Sequence, residues 1–179
     1  MTADPTQAVI ERVIERLDAG PIDHVIVATT SGTTGVRFAE ALAGRDIQTV
    51  CVTHHVGFKG ADVDELQRPN RERLRQLGAV VVTAGHALSG VGRSISTAFG
   101  GTTPGELIAH TLRLFGQGTK VCVECAVMAA DAGAVPTDRD AICVGGTGQD
   151  ADTAVVLKPA HANAFFELRI REILCRPTG

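Results

Sequence analysis

Three short apolar runs rich in β-branched residues, at residues 24–28, 46–53 and 79–83, alternate with segments of helical spacing. That alternation limits the fold more than any other feature of the chain. Short runs that are apolar almost throughout are the signature of strands covered on both faces. Strand–helix–strand order builds a parallel sheet with helices packed against it. The expectation is therefore an α/β protein, a three-layer α/β/α sandwich around a mostly parallel sheet. A length of 179 residues suits one such domain over residues 1–179 and is short for two.

The remaining segments fill in the order. Asp4 and Pro5 read as N-cap and first helical residue, with Gln7 placed to complete a capping box. Val9, Ile10, Val13, Ile14 and Leu17 then repeat at helical spacing until Gly20 and Pro21. Helices are expected at 36–43, at 70–77 behind Pro69, and after Thr103, where Pro104 and Glu106 complete a second capping box. Residues 84–102, with five glycines and two polar clusters, read as a long irregular stretch, a feature often functional. Residues 120–131 suit a buried helix, 141–144 and 153–157 two further strands, 165–171 a last helix and 173–175 an edge strand.

Composition excludes several functions. A net charge of -3 gives no electrostatic case for nucleic acid or an anionic membrane. The most apolar stretch, 121–130, is too short to span a bilayer and contains Glu124. Residues 1–12 lack the layout of a secretory signal, and five irregularly spaced cysteines describe no disulfide framework, so the expected location is the cytoplasm. Oligomeric state stays open, a homo-oligomer included.

The most specific motif follows the first strand: Thr29, Thr30, Ser31, Gly32, Thr33, Thr34 and Gly35 lead straight into a helix. Backbone N–H groups and hydroxyls gathered at a helix N-terminus favour an anion, and glycines let phosphate oxygens approach the backbone. The loop has neither the Gly-Lys-Ser/Thr of a Walker A motif nor the Gly-x-Gly-x-x-Gly fingerprint. The same residues also serve an ordinary strand–helix turn.

Three more loops belong to the same carboxyl edge of the sheet, where open α/β folds bind ligands. They carry His54, His55, Gly57, Phe58 and Lys59; then His86, Ser89, Gly90, Arg93 and Ser94, running on to Phe99; then Gly145, Gly146 and Thr147. Arg93 and Lys59 are counter-charges for a phosphate or solvated cations. Phe58 and Phe99 are placed to stack on a ring. His54, His55 and His86 are candidates for acid–base work or for plain loop hydrogen bonding. No carboxylate spacing marks a His triad or a metal site. Cys122 and Cys125, three apart on the buried helix, read as core. Glu124, Asp131, Asp138 and Asp140 read as structural or solvated.

Together these segments resemble a known family. The loop 29–34 behind a Val-Ile-Val-Ala strand is similar to the effector phosphate loop in the carboxyl-terminal domain of pyruvate kinase. Residues 53–58, Leu88 to Gly90 with 93–96, 115–124, 128–133 and 151–156 leading to Pro159–Ala160–His161 resemble stand-alone proteins with that domain's fold. The resemblance runs from about Gly20 to Pro177 and implies flavin mononucleotide (FMN) as the ligand, its phosphate on residues 31–35 and its ring against the Phe58 and Phe99 loops. It also implies no pyruvate kinase activity, whose barrel with metal-binding carboxylates has no room in this chain. Asp150 departs from the family pattern, which carries Gly before Ala-Asp-Thr. The alternatives are a flavin-dependent or phosphotransfer enzyme using His54, His55 or His86, and a regulatory effector-binding subunit.

Overall fold

A computed structural model describes residues 4–177. Six strands form one sheet in the order β3-β2-β1-β4-β5-β6: β1 (His24–Ala28), β2 (Gln48–Thr53), β3 (Val80–Thr83), β4 (Ala141–Gly145), β5 (Thr153–Lys158) and β6 (Arg169–Cys175). β1 pairs parallel with β2 and with β4, and β2 pairs parallel with β3; β5 and β6 are antiparallel additions. The fold is the expected α/β class with a mostly parallel sheet between helical layers.

Strand side chains alternate between two cores. Val25 and Val27 of β1 face a cluster with Val9, Ile10 and Val13 of α1 (Pro5–Asp18), Phe38 and Ala39 of α2 (Thr33–Ala41) with its C-cap Leu42, and Leu74 of α3 (Arg68–Gln76). Ile26, between them, faces the second cluster with Val50, Val52 and the apolar residues of α6 (Gln117–Asp131). Twelve residues of α6 are buried, so its polar members Lys120 and Glu124 lie inside the protein.

From β1 the chain steps outward through α2, β2 and α3 to β3. It then returns through α4 (Gly90–Phe99), α5 (Pro104–Arg113) and α6 to place β4 on the other side of β1. The direction of winding therefore reverses between β1 and β4. At such a switch point the adjoining loops diverge and leave a crevice at the carboxyl ends of the strands.

Local chemistry explains several boundaries. Asp4 accepts the Gln7 N–H at 3.2 Å, but the Gln7 side chain donates to Glu11 and leaves the capping box half made. The second box forms: the Thr103 N–H and hydroxyl both donate to Glu106, at 2.7 and 2.9 Å. α2 begins at Thr33, not at residue 36, so the last three residues of the Thr/Ser/Gly motif belong to its first turn. Two expectations are corrected. Residues 84–102 are not irregular throughout, because α4 occupies 90–99 without a single buried residue. Residues 165–171 are not a helix; a 3₁₀ turn (Ala162–Glu167) leads into β6, which takes up 169–175 as the outermost strand. Among the described residues no helix is long and apolar enough to cross a membrane.

Candidate functional site

The loop after β1 is tightly cross-braced. Thr29 Oγ1 accepts the Gly35 N–H at 3.2 Å, drawing both ends of the motif together. The Ser31 carbonyl accepts the Gln67 N–H at 3.1 Å and Asn70 Nδ2 at 2.9 Å, which fixes the loop to the start of α3. Gly32 has φ +94°, and a Cβ there would stand 2.6 Å from side-chain atoms of Asn70 and Leu66. Only glycine suits both the left-handed backbone and the close approach. Thr34 Oγ1 donates to the Gln149 carbonyl at 3.3 Å, tying the first turn of α2 to the loop that follows β4.

Above this edge lies a cavity of about 600 Å³. Its floor is formed by the ends of the central strands, with Ala28, Thr29 and Thr30 at the end of β1, Val52, Thr53 and His54 at the end of β2, and Gly145 and Gly146 at the end of β4. Phe58, His86, Leu88 and Ser89 close one side. α4, α5 and α6 form a wall through Arg93, Glu106, Ala109, His110, Arg113, Gln117, Lys120 and Glu124.

Of the residues singled out in the sequence, Thr29, Thr30, Thr34, His54, Phe58, His86, Ser89, Arg93, Gly145 and Gly146 meet here. Ser31, Gly32, Thr33, Gly35, Gly57, Gly90, Ser94 and Thr147 do not line the cavity; they belong to the loops and first turns that shape it. Lys59 and His55 also stay outside. Phe99, expected to stack on a ring, is 86% exposed at the far end of α4 and takes no part. Glu124, expected to be structural or solvated, is 5% exposed and lines the cavity.

The aromatic corner is compact. The His54 and Phe58 rings lie 4.2 Å apart, and His86 stands edge-on to both, at 5.1 and 4.8 Å between centroids. The Arg93 guanidinium sits 5.6 Å from the Phe58 centroid, within cation–π range. His54 Nδ1 donates to Glu65 at 2.8 Å, whereas His55 Nδ1 donates to the carbonyl of Val56. Burial pushes the His86 imidazole down to about 4 against the pull of Glu124, so it is uncharged at neutral pH.

The charged lining resolves into occupied and unoccupied groups. Glu124 accepts the Leu88 N–H at 2.9 Å and pairs with Lys120, which is 7% exposed. Glu106 is taken up by its capping box and by Ser96 Oγ at 2.7 Å, and its carboxyl is held below the usual range mainly by the Thr103 N–H. Asp150 lines the cavity on the opposite loop. Arg113 donates only to the neutral Gln117 amide, at 2.8 Å. Among the described residues, neither Arg93 nor Arg113 has a carboxylate within ion-pair distance.

Sequence reasoning missed Arg113, Gln117 and Lys120, because they reach the site only through the return crossover to β4. The Lys120–Glu124 pair did carry a signal: an i,i+4 cation–carboxylate couple inside an otherwise apolar helix has no solvent to hydrate it.

No family model matches the chain. Among solved structures it is similar to O-ureido-L-serine synthase, at 18% identity and a TM-score of 0.34, over 74% of this chain. The match spans 40% of that protein's length.

Proposed function

We propose that the cavity binds a phosphorylated small ligand, with FMN as the first candidate, and that the chain has no pyruvate kinase activity of its own. The observation that carries this reading is the meeting, in one cavity, of a braced hydroxyl loop at a helix N-terminus with two guanidiniums, Arg93 and Arg113, that have no carboxylate partner among the described residues. Guanidiniums left without carboxylate partners favour an anionic occupant, and a helix N-terminus favours the same charge.

The residues present suit a flavin nucleotide. The cavity falls in the roughly 300–1,000 Å³ range of pockets that hold drug-sized ligands. Thr30 and Thr34 would take the phosphate, with Arg93 or Arg113 as counter-charge. Phe58 and the flanking imidazoles offer ring faces of the size a fused heterocycle covers. A flavin, when bound, supplies hydride and single-electron chemistry at its ring. The resemblance to stand-alone pyruvate kinase carboxyl-terminal-domain proteins points the same way. The five cysteines, all free thiols, accord with a reducing cytoplasm.

The test is a titration of FMN into the purified protein, followed by quenching of flavin fluorescence and by thermal shift. We expect saturable quenching, and at least a tenfold loss of affinity in Thr30→Asp, which sets a carboxylate against the phosphate. Stabilisation by another phosphorylated metabolite but not by FMN would retain the phosphate site and remove the flavin. Unchanged FMN affinity in Thr30→Asp would remove the loop assignment.

A further inference from the structure

We propose that the cavity is a proton-transfer site in which His54 accepts a proton from the bound ligand and Glu65 holds the imidazole in place. This rests on the cavity being a ligand site.

Three histidines sit within one aromatic cluster, and their surroundings separate them. His55 is turned to its neighbour's carbonyl and lies outside the cavity. His86 lines the cavity, but burial keeps it a poor proton acceptor near neutral pH. His54 lines the cavity while its Nδ1 is engaged behind it by Glu65, a residue that does not line the cavity. An ionised carboxylate can only accept a hydrogen bond, so the proton of the neutral ring is on Nδ1. That leaves the Nε2 lone pair for an occupant. A carboxylate that fixes the tautomer and compensates the imidazolium as it forms is the recurring support of a histidine base.

The groups facing His54 complete the arrangement. Phe58 packs at 4.2 Å and limits rotation of the ring. Arg93 lies over the other side of this corner, His55 and His86 flank it, and the Lys120–Glu124 pair stands on the wall beyond His86. The ligand class is a phosphorylated small molecule with an acidic O–H, or an N–H or C–H beside a carbonyl (the flavin ring of FMN carries such an N–H). Its proton passes to His54 Nε2, and the electron pair stays on the ligand oxygen or moves onto the carbonyl oxygen. His86 and Lys120, which line the cavity beside the phosphate-binding arginines, are placed to donate to that oxygen. Return of the proton to the ligand or to water restores His54, and no other reactant is consumed.

The experiment is carbethoxylation of the full chain by diethyl pyrocarbonate, read at each histidine by mass spectrometry from about pH 5 to 8. Wild type, Glu65→Gln and Glu65→Asp are compared with and without saturating FMN, and exposed His161 serves as internal reference. We expect His54 to react, FMN to slow it about tenfold while sparing His161, and the reaction profile of His54 to change in Glu65→Gln. Glu65→Asp, which keeps the charge, should fall between the two. An inert His54, or protection absent although FMN binds, overturns the proposal. So does a profile unmoved by Glu65→Gln. Fluorescence quenching in the same samples reports flavin binding separately: its failure sinks the flavin, and an unmoved profile sinks the dyad.

Discussion

Lys120 and Glu124 stand one turn apart on α6 and form an almost wholly buried ion pair whose side chains both line the cavity. Two charges withdrawn from water offset each other only while both are present. Glu124 also accepts the Leu88 N–H and so anchors the loop after β3 to α6. Glu124→Ala strands an ammonium and orphans that N–H together. It should cost about 3 kcal/mol, and lower Tm by roughly 6–12 °C for a chain of this size. The double variant Lys120→Met/Glu124→Met should be more stable than Glu124→Ala alone. Urea unfolding of wild type and the two variants measures this, and a double variant no more stable than Glu124→Ala would contradict a coupled pair.

His86 predicts a pH dependence of stability. Unfolded, its imidazole takes up a proton near pH 6.5; folded, burial delays that to about 4. Between those values the unfolded chain binds more protons, so stability rises with pH across the window and falls as the solution is acidified through it. In His86→Gln the part of the slope between about pH 4 and 6.5 due to this group should vanish. Carboxylates such as Glu106, held low by their hydrogen bonds, add their own loss at lower pH and should be unaffected. Unfolding midpoints at closely spaced pH values would show it, and an identical slope in the variant would remove His86 as the cause.

How far the sequence reaches is clearest in five elements. β1, β2 and β4 are apolar because both their faces are covered, and burial is what makes such runs readable. α4 escaped because none of its residues is buried. Its Val91, Ile95 and Phe99 do repeat at helical spacing, but they face solvent, and Gly90 and Gly92 mask the pattern. The start of β6, residues 169–171, read as helix because these positions of the outermost strand are exposed and set Arg169 and Arg171 around Ile170, whereas 173–175 read as the edge strand they are. Loops close to the switch point were recognisable from their composition. Helix residues carried to it by the long return crossover, Arg113 and Gln117 among them, were not, since only topology joins them to the strand ends.

Asp150 gives a prediction about affinity. It is the cavity-lining carboxylate on the loop that Thr34 ties to α2. A negative charge on that loop opposes an anionic ligand through partly screened space. Asp150→Asn keeps the shape and removes the charge, and should tighten binding of FMN or inorganic phosphate roughly three- to fivefold at low ionic strength. The gain should shrink as salt rises. A titration at two salt concentrations tests it, and equal affinities in wild type and variant at low salt would mean that the ligand's phosphate lies elsewhere.

Gly118 sets two effects of opposite sign against each other. It sits in the first turn of α6 with an ordinary helical backbone, where alanine is better than glycine by about 1 kcal/mol. A Cβ there, however, would meet Thr153 Oγ1 at 2.1 Å and Thr153 Cβ at 2.4 Å. Neither is the end of a flexible chain, since Thr153 is buried in β5 and its hydroxyl donates to Asp152 at 2.6 Å. The opposite approach is equally close, because a Cβ on Gly145 would stand 2.6 Å from the Gly118 carbonyl. The α6 backbone therefore lies directly on the strand ends, and an added methyl must push the helix away. Overpacking of this kind costs about 1–3 kcal/mol, enough to outweigh the helix propensity. Gly118→Ala should thus be destabilised by up to about 2 kcal/mol, and its affinity for FMN should drop as Lys120 and Gln117 shift. A variant stabilised by the propensity gain alone would show that α6 does not rest on β4 and β5 at this distance.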